Sequence, residues 1–67
     1  MKIKYDQDED ILFIEFFKEP IVKDVSYGWN VNIGYCTKGI AEITILDAKA
    51  AGYWPLENLE DFLPLAA

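Results

Sequence analysis

The sequence contains no histidine and no arginine, and each absence excludes a class of chemistry. Histidine titrates near neutral pH and is the commonest nitrogen ligand of metals, so a histidine-based catalytic triad or zinc site is ruled out. Arginine supplies the planar fork that binds phosphates and guanine edges. Six lysines against twelve acidic residues give a net charge of −6, which repels a polyanion. We therefore expect no direct binding of nucleic acid.

Cysteine and long apolar runs are also scarce. The single cysteine, Cys36, cannot form an internal disulfide, which is typical of a cytosolic chain, and we expect it to be a small core residue. No apolar run approaches the roughly 20 residues of a membrane span, and the chain turns acidic too early for a signal peptide. These features predict a soluble cytoplasmic protein without membrane association.

The chain nevertheless holds enough apolar material to fold. It has 67 residues, of which 52% are hydrophobic and 15% aromatic, which is more than a disordered tail carries. A chain of this length buries only about 60% of the surface of its unfolded form, so there is room for one small domain. We expect a single domain over 1–67, with a β-meander over 1–46 and a helical C-terminal segment over 47–67.

Alternating apolar and polar residues predict four or five strands before residue 47. Every connection is too short for the crossover that parallel strands need. The predicted fold class is therefore α+β, mainly β, with a four- or five-stranded antiparallel meander followed by a short C-terminal helix. The predicted strands cover residues 2–5, 11–17, 21–27, 29–35 and 40–46.

The pattern becomes helical after the last strand. Asp47 can cap a short helix or turn that Gly52 ends, and Pro55 suits the first position of a second helix. A helix of two turns is not stable alone, so its apolar stripe must pack on its own sheet or on another chain. The stripe consists of Leu56, Leu59, Phe62 and Leu63.

One strand has two apolar faces. Leu12 and Ile14 share one face, while Phe13 and Phe17 occupy the opposite face, where a solvated sheet would show polar residues. Leaving both phenylalanines in water would forgo about 3 to 6 kcal/mol of burial. The helix of the same subunit can cover this face, but we favour a symmetric homodimer. The predicted interface consists of Phe13, Phe17, Leu56, Leu59, Phe62 and Leu63.

Four of the twelve acidic residues lie in the turn at residues 6–10. Their spacing is wrong for a calcium loop, because Phe17 stands where a bidentate glutamate is required. We expect a solvated turn in which Asp6 and Asp10 cap backbone amides. Glu15, Glu42 and Asp47 are candidates for an acid–base pair, but so small a domain leaves little interior for a pocket. We therefore predict no enzyme, no metal site and no cofactor.

Two segments of the sequence suggest a family. Tyr5-Asp6 is followed by Asp10-Ile11-Leu12-Phe13-Ile14, and the later strand closes with Ile43-Thr44-Ile45-Leu46-Asp47-Ala48. Over roughly residues 2–48 the chain resembles the small, mainly bacterial proteins known as domain of unknown function 2283. It departs from the family pattern of Gly-Ile-Glu by having Glu42-Ile43-Thr44.

The resemblance implies a small β-rich domain and offers no enzymatic activity, substrate or cofactor. Because some members lie beside small toxin-like genes, it also implies an antitoxin or partner role. The acidic surface itself favours encounter with a basic protein. We predict a non-enzymatic protein that acts through protein–protein contacts, as a homodimer and as an antitoxin-like partner of a basic protein. The alternative is a small-molecule or metal-binding module with a cavity lined by Trp29 or Trp54.

Overall fold

The computed structural model describes residues 1–55 and contains a single antiparallel sheet. Its five strands are β1 (Lys2–Asp6), β2 (Ile11–Glu15), β3 (Lys23–Tyr27), β4 (Val31–Cys36) and β5 (Gly39–Leu46). The mainly β, antiparallel part of the predicted fold class is confirmed. No helix occurs in the part of the chain that the structure describes, and therefore none that could cross a membrane.

The order of the strands differs from the predicted meander. The sheet runs β1-β2-β5-β4-β3, so the last strand lies in the centre, between β2 and β4. Residues 16–22 carry the chain from β2 to the far edge, about 14 Å away at the usual strand spacing, which seven extended residues reach easily. The charged strands β1 and β3 form the edges, where lysines and acids discourage pairing with other chains. The alternately buried β5 takes the centre.

One face of the sheet forms the core. Leu12 of β2 lies opposite Ile45 of β5, Ile14 lies opposite Ile43, and all four side chains are at most 1% exposed. Ile33 of β4 continues this layer beside Ile43. The alternation predicted for these strands is confirmed. The partly buried side chains that pack against the core are Tyr5, Phe16, Val31, Tyr35, Ile40 and Trp54.

The β4 strand begins later and ends later than the sequence pattern predicted. Trp29 lies in the turn at residues 28–30, where Gly28 has a φ of 64°, and the indole is 71% exposed. The strand therefore starts at Val31 and extends to Cys36. Cys36 is 5% exposed, which confirms the expected core position.

Residues 47–52 form turns, which is one of the two alternatives expected between Asp47 and Gly52, whereas the helical segment predicted from residue 47 is absent from the described part of the chain. Asp47 has a φ of 50°, whereas a helix cap needs an extended backbone. The N–H of Ala51 donates to the carbonyl of Asp47 at 2.8 Å, and that of Tyr53 donates to the carbonyl of Ala48 at 2.8 Å. These bonds close the turn without starting a helix. The second predicted helix, with its four apolar residues, lies outside the described residues.

Candidate functional site

The face of the sheet opposite the core, here called the open face, carries mixed side chains. Ile11 of β2 lies opposite Leu46 of β5, and Phe13 lies between Lys4 and Thr44. Leu46 is 40% exposed, while Ile11 and Phe13 are half-buried. Apolar surface therefore remains on this face, at the end of the β2/β5 pair where Ile11 lies opposite Leu46, and Phe13 lies on the predicted face.

The predicted interface residues do not all fall on this face. Phe17 lies two residues beyond the end of β2 at Glu15. The N–H groups of Phe16 and Phe17 both donate to the carbonyl of Ala41. Phe17 is 41% exposed. The pairing of β2 with β5 stops at Glu15, so the alternation of side chains between the two faces of the sheet does not extend to Phe17. The other four predicted residues lie outside the described residues: Leu56, Leu59, Phe62 and Leu63.

Two of the three candidate acid–base residues meet on the open face. Glu15 and Glu42 are directly opposite in β2 and β5, whereas Asp47 lies beyond the far end of β5, about 16 Å along the strand from Glu42. Glu42 leans away from Glu15 and over Gly34 of β4. A Cβ atom on Gly34 would lie 2.9 Å from Cγ of Glu42 and 3.2 Å from Cδ1 of Ile21. The missing side chain of Gly34 therefore gives the glutamate its space.

A second cluster is built around Asp10, which joins two turns that are distant in sequence. The Tyr5 hydroxyl and the N–H of Lys49 each donate to Oδ1 of Asp10 at 2.7 Å, and the N–H of Ala50 donates to Oδ2 at 3.2 Å. The N–H of Ala48 donates to the backbone carbonyl of Asp10 at 3.0 Å. Asp10 itself has a φ of 55°, which aspartate tolerates better than most residues.

These bonds change the acidity of both side chains. The N–H of Lys49 is the main cause that lowers the pKa of Asp10 below its ordinary value, and the Tyr5 hydroxyl and the N–H of Ala50 act in the same direction. The same contact raises the pKa of Tyr5, because the phenol donates to a carboxylate that its ionised form would repel. The cluster therefore favours a charged Asp10 beside a neutral Tyr5.

The neighbouring acidic turn is capped as expected. Oδ1 of Asp6 accepts the N–H groups of Asp8 and Glu9 at 3.0 and 3.1 Å. Asp10, by contrast, caps the distant turn at 47–52 instead of its own. Among the residues that the structure describes, no three histidine, cysteine, aspartate or glutamate side chains are placed to hold a metal ion.

A groove of about 380 Å³ opens beside the Asp10 cluster. The rings of Tyr5 and Trp54 stack with centroids 4.5 Å apart and planes inclined by 17°. Gln7, Lys49 and Pro55 complete the lining. A cavity lined by Trp54 is what the small-molecule alternative predicts, whereas Trp29 lies elsewhere, in the turn between β3 and β4.

Sequence reasoning named Trp54 as a candidate cavity residue, but it did not place a groove beside Asp10, and it missed the role of Lys49, whose backbone N–H contributes to the cluster. Part of the Asp10 cluster could have been found from the family resemblance, since Tyr5, Asp10 and Ala48 belong to the two segments that carry it. The bonds from Lys49 and Ala50 to Asp10 join residues 39 and 40 positions apart, which no local pattern encodes.

The sequence of the chain matches a known family. Residues 2–49 match the family described as "Protein of unknown function (DUF2283)". The chain belongs to this family. The DUF2283 match confirms the resemblance and spans all five strands, Asp10 and Lys49, but it ends before Trp54. No curated protein and no solved structure matches the chain.

Proposed function

We propose that this protein is a non-enzymatic module that acts through protein–protein contacts and forms a homodimer through the open face. The observation that carries this proposal is an apolar patch on that face, formed by Ile11, Phe13 and Leu46 at one end of the β2/β5 pair. Burying an apolar side chain of this size is worth about 1.5–3 kcal/mol. A second copy of the same face buries all three residues on both protomers.

Charge on the open face supports a second copy as the occupant. Lys2 and Lys4 lie on β1, beside β2, while Glu42 of β5 leans toward β4 on the opposite side of the sheet. A two-fold axis parallel to the strands, between β2 and β5, places β1 of one protomer over β4 of its partner. Lys2 of each protomer then lies at the level of the partner's Glu42, and the same axis brings Glu15 over that Glu42, so the lysines offset a cluster of glutamates at this end of the interface.

Light scattering after size exclusion tests the homodimer. We expect a mass of twice the 7.7 kDa chain at micromolar concentration. Phe13→Lys and Leu46→Lys bury a charge in the interface, so each should give a folded monomer, with circular dichroism as the check on folding. Trp29→Ser, which removes an exposed aromatic ring from the turn at 28–30, should remain dimeric. A monomeric wild type, or dimers of both folded lysine variants, would overturn this interface.

A basic protein is the second partner that we propose. Of the acidic residues within 1–55, Glu19 alone forms an ion pair, at 3.0 Å from Lys38. The exposed carboxylates of Asp8 and Glu9 therefore remain available to an external cation. An acidic surface accelerates encounter with a cationic protein and weakens its hold as salt rises. This is the electrostatic basis on which an antitoxin-like role rests.

Calorimetry with a basic peptide tests this second role. We expect binding at low ionic strength that weakens steadily as salt is added, and no binding of a peptide in which glutamate replaces each basic residue. An equal affinity for the two peptides, or no heat with either, contradicts the proposal.

A further inference from the structure

We propose that residues 56–67 cover the core face of the sheet within the same chain. The core face is the face opposite the open face, and its central side chains are Leu12, Ile14, Ile33, Ile43 and Ile45. This inference is independent of the homodimer, which uses the open face. It assigns the apolar residues of the predicted second helix to the inside of their own subunit instead of to an interface between subunits.

The burial of the core face requires a second layer over the sheet. Its five central side chains are at most 3% exposed. Neighbours on the same face shield the flanks of a side chain that stands on a sheet, but its tip is shielded only by another element packed on top. This burial arises within one chain, so the covering element belongs to the same chain as the sheet.

The described residues supply only part of this second layer. Of the six partly buried apolar residues that pack against the core, four belong to the strands of the same sheet. From outside the strands, the apolar residues of 1–55 in this core are Phe16, Ala48 and Trp54. Phe16 follows the end of β2, whereas Ala48 and Trp54 follow the end of β5 at the other end of the pair. The row between them, where Ile14 lies opposite Ile43, needs a further covering element.

The chain leaves the described part at a position from which it can cross this face. Trp54 packs against the core and stacks on Tyr5 of β1, at one edge of the sheet. Five strands span about 19 Å at the usual strand spacing. The twelve residues after Pro55 reach about 18 Å as a helix and about 40 Å when extended, so they can cross the whole face in either conformation.

The sequence of residues 56–67 suits a covering element. Leu56, Leu59, Phe62 and Leu63 recur at a spacing that favours one apolar side, and the acidic residues of the segment lie between them. Contact with the core face removes this apolar side and the isoleucines of the sheet from water together. The family match ends at residue 49, so the proposed covering segment lies outside the part of the chain that defines the family.

Nuclear Overhauser effects in the full-length wild type test the contact. We expect effects between side chains of residues 56–67 and the methyl groups of Ile14, Ile33 and Ile43. A sample that mixes isotope-labelled with unlabelled chains separates contacts within a chain from contacts between chains, and we expect none of these effects between chains. The Phe13→Lys variant should keep the effects, because Phe13 lies on the open face.

Two variants that introduce the same residue measure the contribution of the segment to stability. Phe62→Ser removes an apolar side chain from the proposed contact, and we expect the folding equilibrium constant to fall about 30-fold. Glu60→Ser is the matched control, because it removes a charged side chain from the side that faces water, and it should change the constant by less than about threefold. Urea unfolding at one protein concentration makes the comparison.

Three results would overturn the proposal. Effects that occur only between chains would show that the segment covers the sheet of a second copy. Absence of any effect between the segment and the isoleucines of the core face would show that another element provides the burial. Equal losses of stability in Phe62→Ser and Glu60→Ser would show that the apolar side of the segment is not buried.

Discussion

The two ends of the β2/β5 pair place carboxylates in opposite environments. At one end, Asp10 accepts three hydrogen bonds and joins the turns that flank the strands. At the other end, Glu15 and Glu42 occupy directly opposite positions in the two strands, and neither forms an ion pair with another residue of 1–55. A net charge of −6 therefore does not describe how acids contribute to this protein. The Asp10 carboxylate holds two turns together through hydrogen bonds, whereas Glu15 and Glu42 make no such connection between elements within residues 1–55.

The largest expected effect is at the Asp10 end. Asp10→Asn keeps the tolerance for a positive φ but replaces one acceptor oxygen with an NH₂ donor, so at least one of the three hydrogen bonds is lost. We expect this variant to lose more stability in urea unfolding than any other variant in this comparison. Asp47→Asn is the matched control, because Asp47 also has a positive φ and its carboxylate accepts no hydrogen bond from another residue of 1–55. Equal losses of stability in the two variants would show that the hydrogen bonds of the Asp10 carboxylate do not stabilise the contact between the turns at 6–10 and 47–52.

Acid should remove the same advantage. The pKa of Asp10 is lowered in the folded protein, so its contribution is complete above the ordinary value of 3.8 and disappears as pH falls through the lowered value. We expect the stability difference between wild type and Asp10→Asn to be constant near neutral pH and to shrink below about pH 4. A difference that stays constant down to the acid transition contradicts the shift.

Base should act on the other member of the cluster. The pKa of Tyr5 is raised in the folded protein, so its contribution is complete below the ordinary value of 10.0 and is lost as pH rises through the raised value. Tyr5→Phe lacks this group and should lose less stability than wild type on alkaline titration, as followed by circular dichroism. Identical alkaline profiles of the two proteins would contradict the contact.

The Glu15/Glu42 end should respond to steric change. Gly34→Ala places a methyl group 2.9 Å from Cγ of Glu42 and forces that side chain to move, at a cost of about 1 kcal/mol. The cost should be smaller when Glu15 is replaced by glutamine, because Glu42 can then move without approaching a like charge. A double-mutant cycle in urea measures this coupling. Strict additivity would show that Glu15 does not constrain Glu42.

The smallest expected effect is that of Glu15→Gln alone. Removing one of two like charges directly opposite each other should stabilise the protein by about 0.2–1 kcal/mol, and added salt should reduce the gain. Glu19→Gln is the matched control, since it breaks the exposed pair with Lys38 and should be neutral or slightly destabilising. Unfolding of all three proteins at one protein concentration makes the comparison.

Local patterns in the sequence were sufficient for the individual strands. Alternation placed Leu12 with Ile14 on one face of their strand, and Ile43 with Ile45 on one face of theirs, because strand periodicity depends on near neighbours alone. The pattern failed at Trp29 and Phe17, where a turn and the end of the ladder interrupt the alternation. Composition was enough to place Cys36 in the core.

Contacts between distant residues could not be predicted in this way. The pairing of β2 with β5 depends on which strand best fills the centre of the sheet, a property of the whole set of strands. The Asp10 cluster depends on that pairing, because the turns at 6–10 and 47–52 meet only when β2 and β5 lie side by side. Asp10 was recognised as a capping residue, but the backbone N–H groups that it caps belong to Lys49 and Ala50, 39 and 40 positions away.

The central position of β5 bears on how the chain can be divided. A break in the connection at residues 16–22 leaves the β1/β2 hairpin on one fragment and the three strands β3, β4 and β5 on the other. Each fragment keeps its own hairpin turns. Separation exposes one edge of β2 and one edge of β5, and these two edges pair with each other in the intact sheet. This connection is therefore the natural position for splitting the protein into two complementing halves, which reassemble by adding the hairpin to the side of β5.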